Sequence, residues 1–199
     1  AKELCGYEQE PSSSSLQTGD SQSSTLNLKC STIDGCSKVL GNEIIKIAKQ
    51  KKEQALKDGK NYLDDATVKQ QTGAKSFECL VLMVAHQESK IIHCGKFAPG
   101  LINFQKNKNP LYCNGNDDEV LTNSDGFDKG VMQINTEVHK NVDTLDFIKN
   151  VNYGIDYLIK NYQTRSNKYT CNGKSYLGWN VALRYYNGWN TNCNVGDKN

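Results

Sequence analysis

No apolar run in this 199-residue chain approaches the roughly 20 residues that a membrane-crossing helix requires, so the sequence predicts no membrane span. No Cys-x-x-Cys pair occurs, and His86, His93 and His139 carry no zinc-type spacing, so neither a metal nor another cofactor is expected. His86 stands two residues before Glu88, a spacing that turns the two side chains to different sides of a helix. There is no Asn-x-Ser/Thr triplet, which excludes the usual N-glycan acceptor. Excess charge of one sign is lacking too: 24 Lys and Arg against 22 Asp and Glu leave a net +2, too little for a bulk field that would gather nucleic acid. Proline is scarce at three residues, two of them between Lys90 and Gly130. That stretch, rich also in Asn and Asp, reads as loop with any short β-hairpin the fold contains.

Cysteine, by contrast, is plentiful. Eight residues, an even number, read as a disulfide framework and hence an oxidising compartment: secreted, cell-surface or periplasmic. A start at Ala1 fits export behind a cleaved leader. Eight cysteines permit roughly a hundred connectivities. Loop geometry favours Cys171 with Cys193, bracketing the last helix, and Cys94 with Cys113, closing a loop after the Glu88 helix. Cys5, Cys30, Cys36 and Cys79 would then tie the amino-terminal segment to the body. Residues 8–26 are Ser-rich and almost free of bulky apolar side chains, so they cannot offset the entropy of ordering. They read equally as a linker or as a loop tethered by its flanking cysteines. The expected organisation is a Ser-rich segment at 1–36 and one catalytic domain at 37–199, acting as a monomer.

Helical periodicity begins at Leu40 and runs through Ile44, Ile45, Ile47, Ala48, Ala55 and Leu56, with Gly59 as the stop. A second helix, Ser76 to about Ser89, sets Phe77, Leu80, Val81, Val84, Ala85 and Glu88 on one face. Leu145, Ile148, Val151, Ile155, Leu158, Ile159 and Tyr162 form a long third helix. Trp179, Ala182, Leu183 and Tyr186 mark a last one, ended by Gly188. Glu88 continues an apolar face in the final turn of its helix. Burial and the negative end of the helix dipole both raise a carboxyl pKa there, as a general acid requires. Taken singly, Glu88 also reads as a solvated glutamate at a fraying helix end, and Tyr186 as a core tyrosine. Tyr185, Trp179 and Trp189 are stacking platforms for sugar rings in one reading, although aromatic residues at helical spacing are more often packing residues.

Three blocks carry a resemblance when taken in order: Glu88-Ser89, then Ser124-Asp125-Gly126-Phe127-Asp128-Lys129-Gly130-Val131-Met132-Gln133-Ile134, then Tyr186-Asn187. Together they resemble the core of the lytic transglycosylase and goose-type lysozyme superfamily, over roughly residues 75–190. The transglycosylase pattern Ser-x-x-Gly-x-x-Gly-x-Met-Gln is met at Ser124, Gly130, Met132 and Gln133, with Phe127 in place of the first glycine. His139 and the Asp-Gly-aromatic run are closer to the goose-type form. The resemblance implies a mainly α, lysozyme-like fold with a small β-hairpin or irregular region forming one wall of a groove.

It also implies cleavage of the MurNAc–GlcNAc β-1,4 bond of peptidoglycan, with Glu88 as general acid and base and Tyr186 orienting it. Ser124, Met132, Gln133, His139 and Asn187 would contact the sugar. Asp125 and Asp128 are the candidates for a second carboxylate. The acidic run Asp117, Asp118 and Glu119 reads as solvated surface. Goose-type enzymes carry an Asp two residues after the Gln, where this chain has Asn135. Hydrolysis and intramolecular transglycosylation therefore both remain open. The alternative from another class is a catalytically silent glycan-binding module on the same fold.

Overall fold

The computed structural model describes residues 32–98, 101–104, 111, 113, 117–167, 169–171 and 173–188. Its helices are α1 (Ile33–Lys57), α2 (Asp65–Thr72), α3 (Phe77–Ser89), α4 (Phe147–Arg165) and α5 (Trp179–Tyr186). Three antiparallel hairpins interleave with them: β1 (Gly95–Ala98) with β2 (Leu101–Phe104), β3 (Asp128–Lys129) with β4 (Ile134–Asn135), and β5 (Tyr169–Cys171) with β6 (Lys174–Tyr176). The described chain is thus mainly helical with small hairpins, and none of its helices is long and apolar enough to cross a membrane.

Helix α1 starts seven residues ahead of the periodic run, because the Thr32 hydroxyl oxygen accepts the Gly35 N–H at 3.0 Å and caps it. The helix therefore runs across residues 36 and 37, with Cys36 buried in its first turns. Helix α2 was not apparent from periodicity, since Val68 is its one buried residue. Its signals are local: Asp64 accepts the Thr67 N–H at 2.8 Å, and Gly73 closes it at φ 78°. Helix α2 also starts α5, where the Gln71 Oε1 accepts the N–H of Trp179 at 2.8 Å.

Helix α3 is the centre of the molecule. Its expected apolar face is buried, and so are Glu78, Cys79 and Leu82 on the other side, because α1 packs along it there. Gly41 of α1 faces Leu82 at this contact, where a Cβ would lie 3.4 Å from the Leu82 Cδ1, an ordinary packing distance. Glu78 is accommodated by Lys52 of α1 (Nζ–Oε1 2.6 Å), which also reaches Asp65 of α2 at 3.0 Å. Glu78 is buried and Lys52 half-buried, so removing Lys52 would leave a buried carboxylate without its cation.

Helices α4 and α5 form the second packed pair. Trp179 is fully buried between them and α3, 4.5 Å from the Tyr162 ring and 5.6 Å from Phe77, with its indole N–H donated to the Tyr62 carbonyl at 2.9 Å. It is a packing residue. Trp189 lies outside the described residues.

Strands β1 and β2 lie where loop and hairpin were expected, and β3–β4 straddles the end of that region. The β5–β6 hairpin was not anticipated, although its Asn-Gly dipeptide at 172–173 is a hairpin signal. Cys94 and Cys113 are joined as loop geometry indicated, with Cα atoms 5.2 Å apart. Cys36, Cys79 and Cys171 are disulfide-bonded as well. Cys5, Cys30 and Cys193, and with them the predicted Cys171–Cys193 pairing and residues 1–31 of the Ser-rich segment, lie outside the described residues.

Where α4 crosses the loop before β4, Gly154 has no room for a side chain: a Cβ would lie 2.8 Å from both Cβ and Cγ of Met132. Gly154→Ala is therefore expected to destabilise the protein by about 1–3 kcal/mol in urea unfolding, because Met132 is fully buried and cannot swing out.

Candidate active site

The second sequence block folds into a buried turn, Gly130–Gln133, whose peptide groups cannot reach water and find side-chain partners instead. Helix α4 supplies Asn150, which accepts the Met132 N–H at 2.9 Å and donates to the Lys129 carbonyl at 3.0 Å. Helix α3 supplies Ser89, whose hydroxyl lies 2.8 Å from the Val131 carbonyl. His93 accepts the Val131 N–H at its Nδ1 (3.2 Å), and its Nε2 faces the Leu145 carbonyl at 3.0 Å. Burial lowers the His93 pKa to about 4, so the ring is neutral and holds the turn. Helix α5 supplies Tyr186, whose O–H donates to the Met132 carbonyl at 2.8 Å. Gly130 sits at φ 77°, and a Cβ on it would lie 2.5 Å from the Asn150 Nδ2. Only glycine fits both demands.

Two cavities share Glu88, Tyr186 and Asn187, and the smaller of them also reaches the turn at Gln133. The larger, about 670 Å³, lies toward the β5–β6 hairpin and is lined by Lys174, Ser175, Tyr176 and Arg184 among others. The smaller, about 270 Å³, adds Asp128, Gln133, Asn135, His139 and Tyr157. Glu88 stands at their junction. It is half-buried, and among the described residues it has no hydrogen-bond or ion-pair partner. Desolvation, and after it the negative charge of Asp128, raise its pKa from 4.5 to about 7. The backbone behind it is tightly turned, with Lys90 at φ 56° and Ile91 at φ 61°, both in the left-handed region that favours glycine.

Asp128 is held with unusual definition. The Asn123 Nδ2 donates to its Oδ2 at 2.6 Å, and the Asn135 Nδ2 donates to its Oδ1 at 2.8 Å. Neither amide is free to flip. The Oδ1 of Asn123 accepts the N–H groups of Phe127 and Asp128, both at 3.2 Å, and that of Asn135 accepts those of Glu137 and Val138, both at 3.1 Å.

Several anticipated roles change. The Tyr186 hydroxyl was expected against Glu88, yet its proton goes to the Met132 carbonyl; the ring still borders Glu88 in both cavities. Its pKa is pushed well above 10 by burial first and by Glu88 second, so it remains a donor. Met132 was expected to touch the sugar, but its side chain is fully buried beneath Gly154 and lines neither cavity. Ser124 and Asp125 are exposed at the outer end of the loop and also line neither. Gln133 lines the smaller cavity, with its side-chain N–H groups committed to the Leu121 (3.2 Å) and Gly130 (2.8 Å) carbonyls. Its amide oxygen is the group left for a ligand.

His139 and Asn187 both line the smaller cavity beside Glu88. The His139 Nδ1 lies 2.8 Å from the Tyr153 hydroxyl, and its ring meets Tyr157 edge-on at 4.7 Å. Burial lowers its pKa. Asn123, Asn150 and Tyr157 were not singled out from the sequence, and Ser89 only as part of the Glu88-Ser89 block; residues such as Ser89, Asn123 and Asn150 that hydrogen-bond a backbone carry no periodic signature. His93, Cys94 and Cys113 lie close enough together to suggest a metal site, but both sulfurs are spent in the disulfide and offer no thiolate.

Comparison with models of protein families, with curated proteins and with solved structures gave no match. The case for function rests on the site itself.

Because folding raises the Glu88 pKa, ionising this group favours the unfolded chain. The cost is absent below pH 4.5, grows as pH rises to about 7, and is complete above it. Glu88→Gln is therefore expected to raise stability at pH 8 by up to about 3 kcal/mol and to change it little at pH 4, measured by urea unfolding at both.

Proposed function

We propose that this protein is a peptidoglycan-cleaving muramidase that breaks the MurNAc–GlcNAc β-1,4 bond, with Glu88 as the general acid. The observation that carries this reading is the Glu88 carboxyl: half-buried, partnerless among the described residues and raised to about pH 7 at the junction of two cavities. A group so tuned holds its proton at neutral pH yet releases it readily to a glycosidic oxygen. Cleavage at a junction needs room for sugar on both sides, which the two cavities supply.

The arrangement of helices supports the finer reading of a lysozyme-like fold. The acid ends a buried helix, the Gly130–Gln133 turn faces it, and the Tyr186-Asn187 pair closes the third side. Lys174 and Arg184 on the larger cavity suit the carboxylates of a peptidoglycan stem peptide. The Cys94–Cys113 disulfide fits an enzyme working outside the reducing cytoplasm, where its substrate lies. The unpaired acid also speaks against a silent glycan-binding module. Binding alone has no use for a carboxyl whose burial lowers stability.

Incubation with purified peptidoglycan and mass spectrometry of the released fragments tests the proposal. Cleavage between MurNAc and GlcNAc is expected, with a loss of about 10²–10⁴-fold in Glu88→Gln. The rate should also fall roughly tenfold per pH unit above about 7, as the acid form of Glu88 is depleted. Undiminished cleavage by Glu88→Gln would overturn it.

A further inference from the structure

We infer that the reduced form of this chain holds a zinc ion between His93, Cys94 and Cys113, and that the ion withdraws His93 from the Gly130–Gln133 turn. The metal site stands apart from the glycan-cleavage reading; only its effect on cleavage rests on that reading. Three observations carry it. A ring nitrogen of His93 and the sulfurs of Cys94 and Cys113 all lie within 4.8 Å of one another. Once the disulfide is opened, they offer two thiolates and one imidazole, a donor set that suits zinc with a fourth position left for water. The Cα atoms of the two cysteines are 5.2 Å apart, close enough for both sulfurs to bind one ion at about 2.3 Å. The second observation is the setting: all three residues are buried, and the cysteines pack against Val120 and Leu145. Thiols in such apolar surroundings keep their protons unless a cation is present, and zinc supplies the charge that lets both ionise.

The third observation is that His93 has no spare nitrogen. Its Nδ1 accepts the Val131 N–H at 3.2 Å, and its Nε2 faces the Leu145 carbonyl at 3.0 Å. An ion on Nδ1 takes the lone pair from the Val131 N–H directly. An ion on Nε2 moves the ring proton to Nδ1, which then cannot accept. Either choice leaves a buried N–H of the turn unpaired. The backbone at 93 and 94 is coupled to the same turn. The His93 carbonyl accepts the Leu121 N–H at 2.8 Å, and the Leu121 carbonyl accepts the Gly130 N–H at 2.8 Å and the Gln133 amide at 3.2 Å. A shift at the metal therefore reaches the smaller cavity through Gln133.

Every chain is made as the dithiol, and disulfides follow only in an oxidising compartment. The zinc form is therefore the earlier and inactive one. On oxidation the two zinc-bound thiolates give two electrons to a small-molecule or protein disulfide, which takes two protons from solvent and leaves as two thiols. The Cys94–Cys113 bond forms, Zn²⁺ departs, and His93 returns to the Val131 N–H.

The test reduces the full chain with a phosphine and titrates it with zinc, and with cobalt as a coloured substitute. About one tightly bound ion per chain is expected, the cobalt form showing tetrahedral absorption with thiolate charge transfer. Cys94→Ser, Cys113→Ser and His93→Asn should each weaken binding at least about tenfold, while Cys36→Ser and Cys171→Ser leave it unchanged. On peptidoglycan the reduced zinc form should be at least about tenfold slower than the oxidised chain, as the loss of one buried hydrogen bond implies. A chelator should restore part of that rate without re-forming the disulfide, a recovery that loss of the cross-link alone would not give. No uptake by the reduced wild type, or uptake retained when both Cys94 and Cys113 are replaced by Ser, would overturn the site. Uptake without any change in cleavage would overturn the withdrawal of His93. No cleavage by the oxidised chain would overturn the muramidase reading and leave the zinc site standing. Should the reduced chain fail to fold without metal, zinc-driven return of helical circular dichroism, absent in Cys113→Ser, reads the same site, and its failure overturns it.

Discussion

The structure turns on a demand that is purely backbone: the Gly130–Gln133 turn is buried, and its N–H and C=O groups must be paired there. Three helices and a neutral histidine each give a side chain to this one turn. Ser89 comes from α3, Asn150 from α4 and Tyr186 from α5, while His93 holds the Val131 N–H. Satisfying the turn thus fixes the relative setting of the same helices whose ends form the two cavities. Glu88 is one residue from Ser89, and Asn187 one from Tyr186, so the anchors of the turn are also the anchors of the chemistry. A residue that disturbs the turn, as a side chain at Gly154 would by pressing on Met132, acts on the cavity wall through Tyr186.

Electrostatics divides the site by the same geometry. Desolvation at the end of α3 holds the proton on Glu88, while the paired asparagines supply Asp128 with the donors that a charge needs. Each group strengthens the other's assignment, since the Asp128 charge is the second contribution to the raised Glu88 pKa. The protein gives up stability to keep Glu88 where it is. Such a cost is sustained most naturally at a working site.

The long helices were legible because their apolar residues repeat with a helical period, and α3, α4 and α5 fall within a few residues of where Phe77–Ala85, Leu145–Tyr162 and Trp179–Tyr186 place them. Helix α2, with Val68 alone buried, has no period to read, and the β5–β6 hairpin is too short for one. Glu88 stood out because a carboxyl interrupts an apolar face. Which acid of the loop would join it was not legible: Asp125 and Asp128 are three residues apart, and only the path of β3 turns one toward the cavity and leaves the other in solvent. The partner of Tyr186 was hidden for a different reason. It is a backbone carbonyl, and every residue has one. Asn135 read as the loss of a carboxylate, whereas in three dimensions it is the amide that positions another.

The measurement that bears most directly on this account is the titration of Glu88 itself, followed by carbon NMR of its side-chain carboxyl in protein labelled at glutamate. The account predicts a midpoint near pH 7, moving down when Asp128 is replaced by Asn and its charge is removed. A midpoint near 4.5 that ignores Asp128 would contradict it, for Glu88 would then be an ordinary solvated carboxylate with no proton to give at neutral pH.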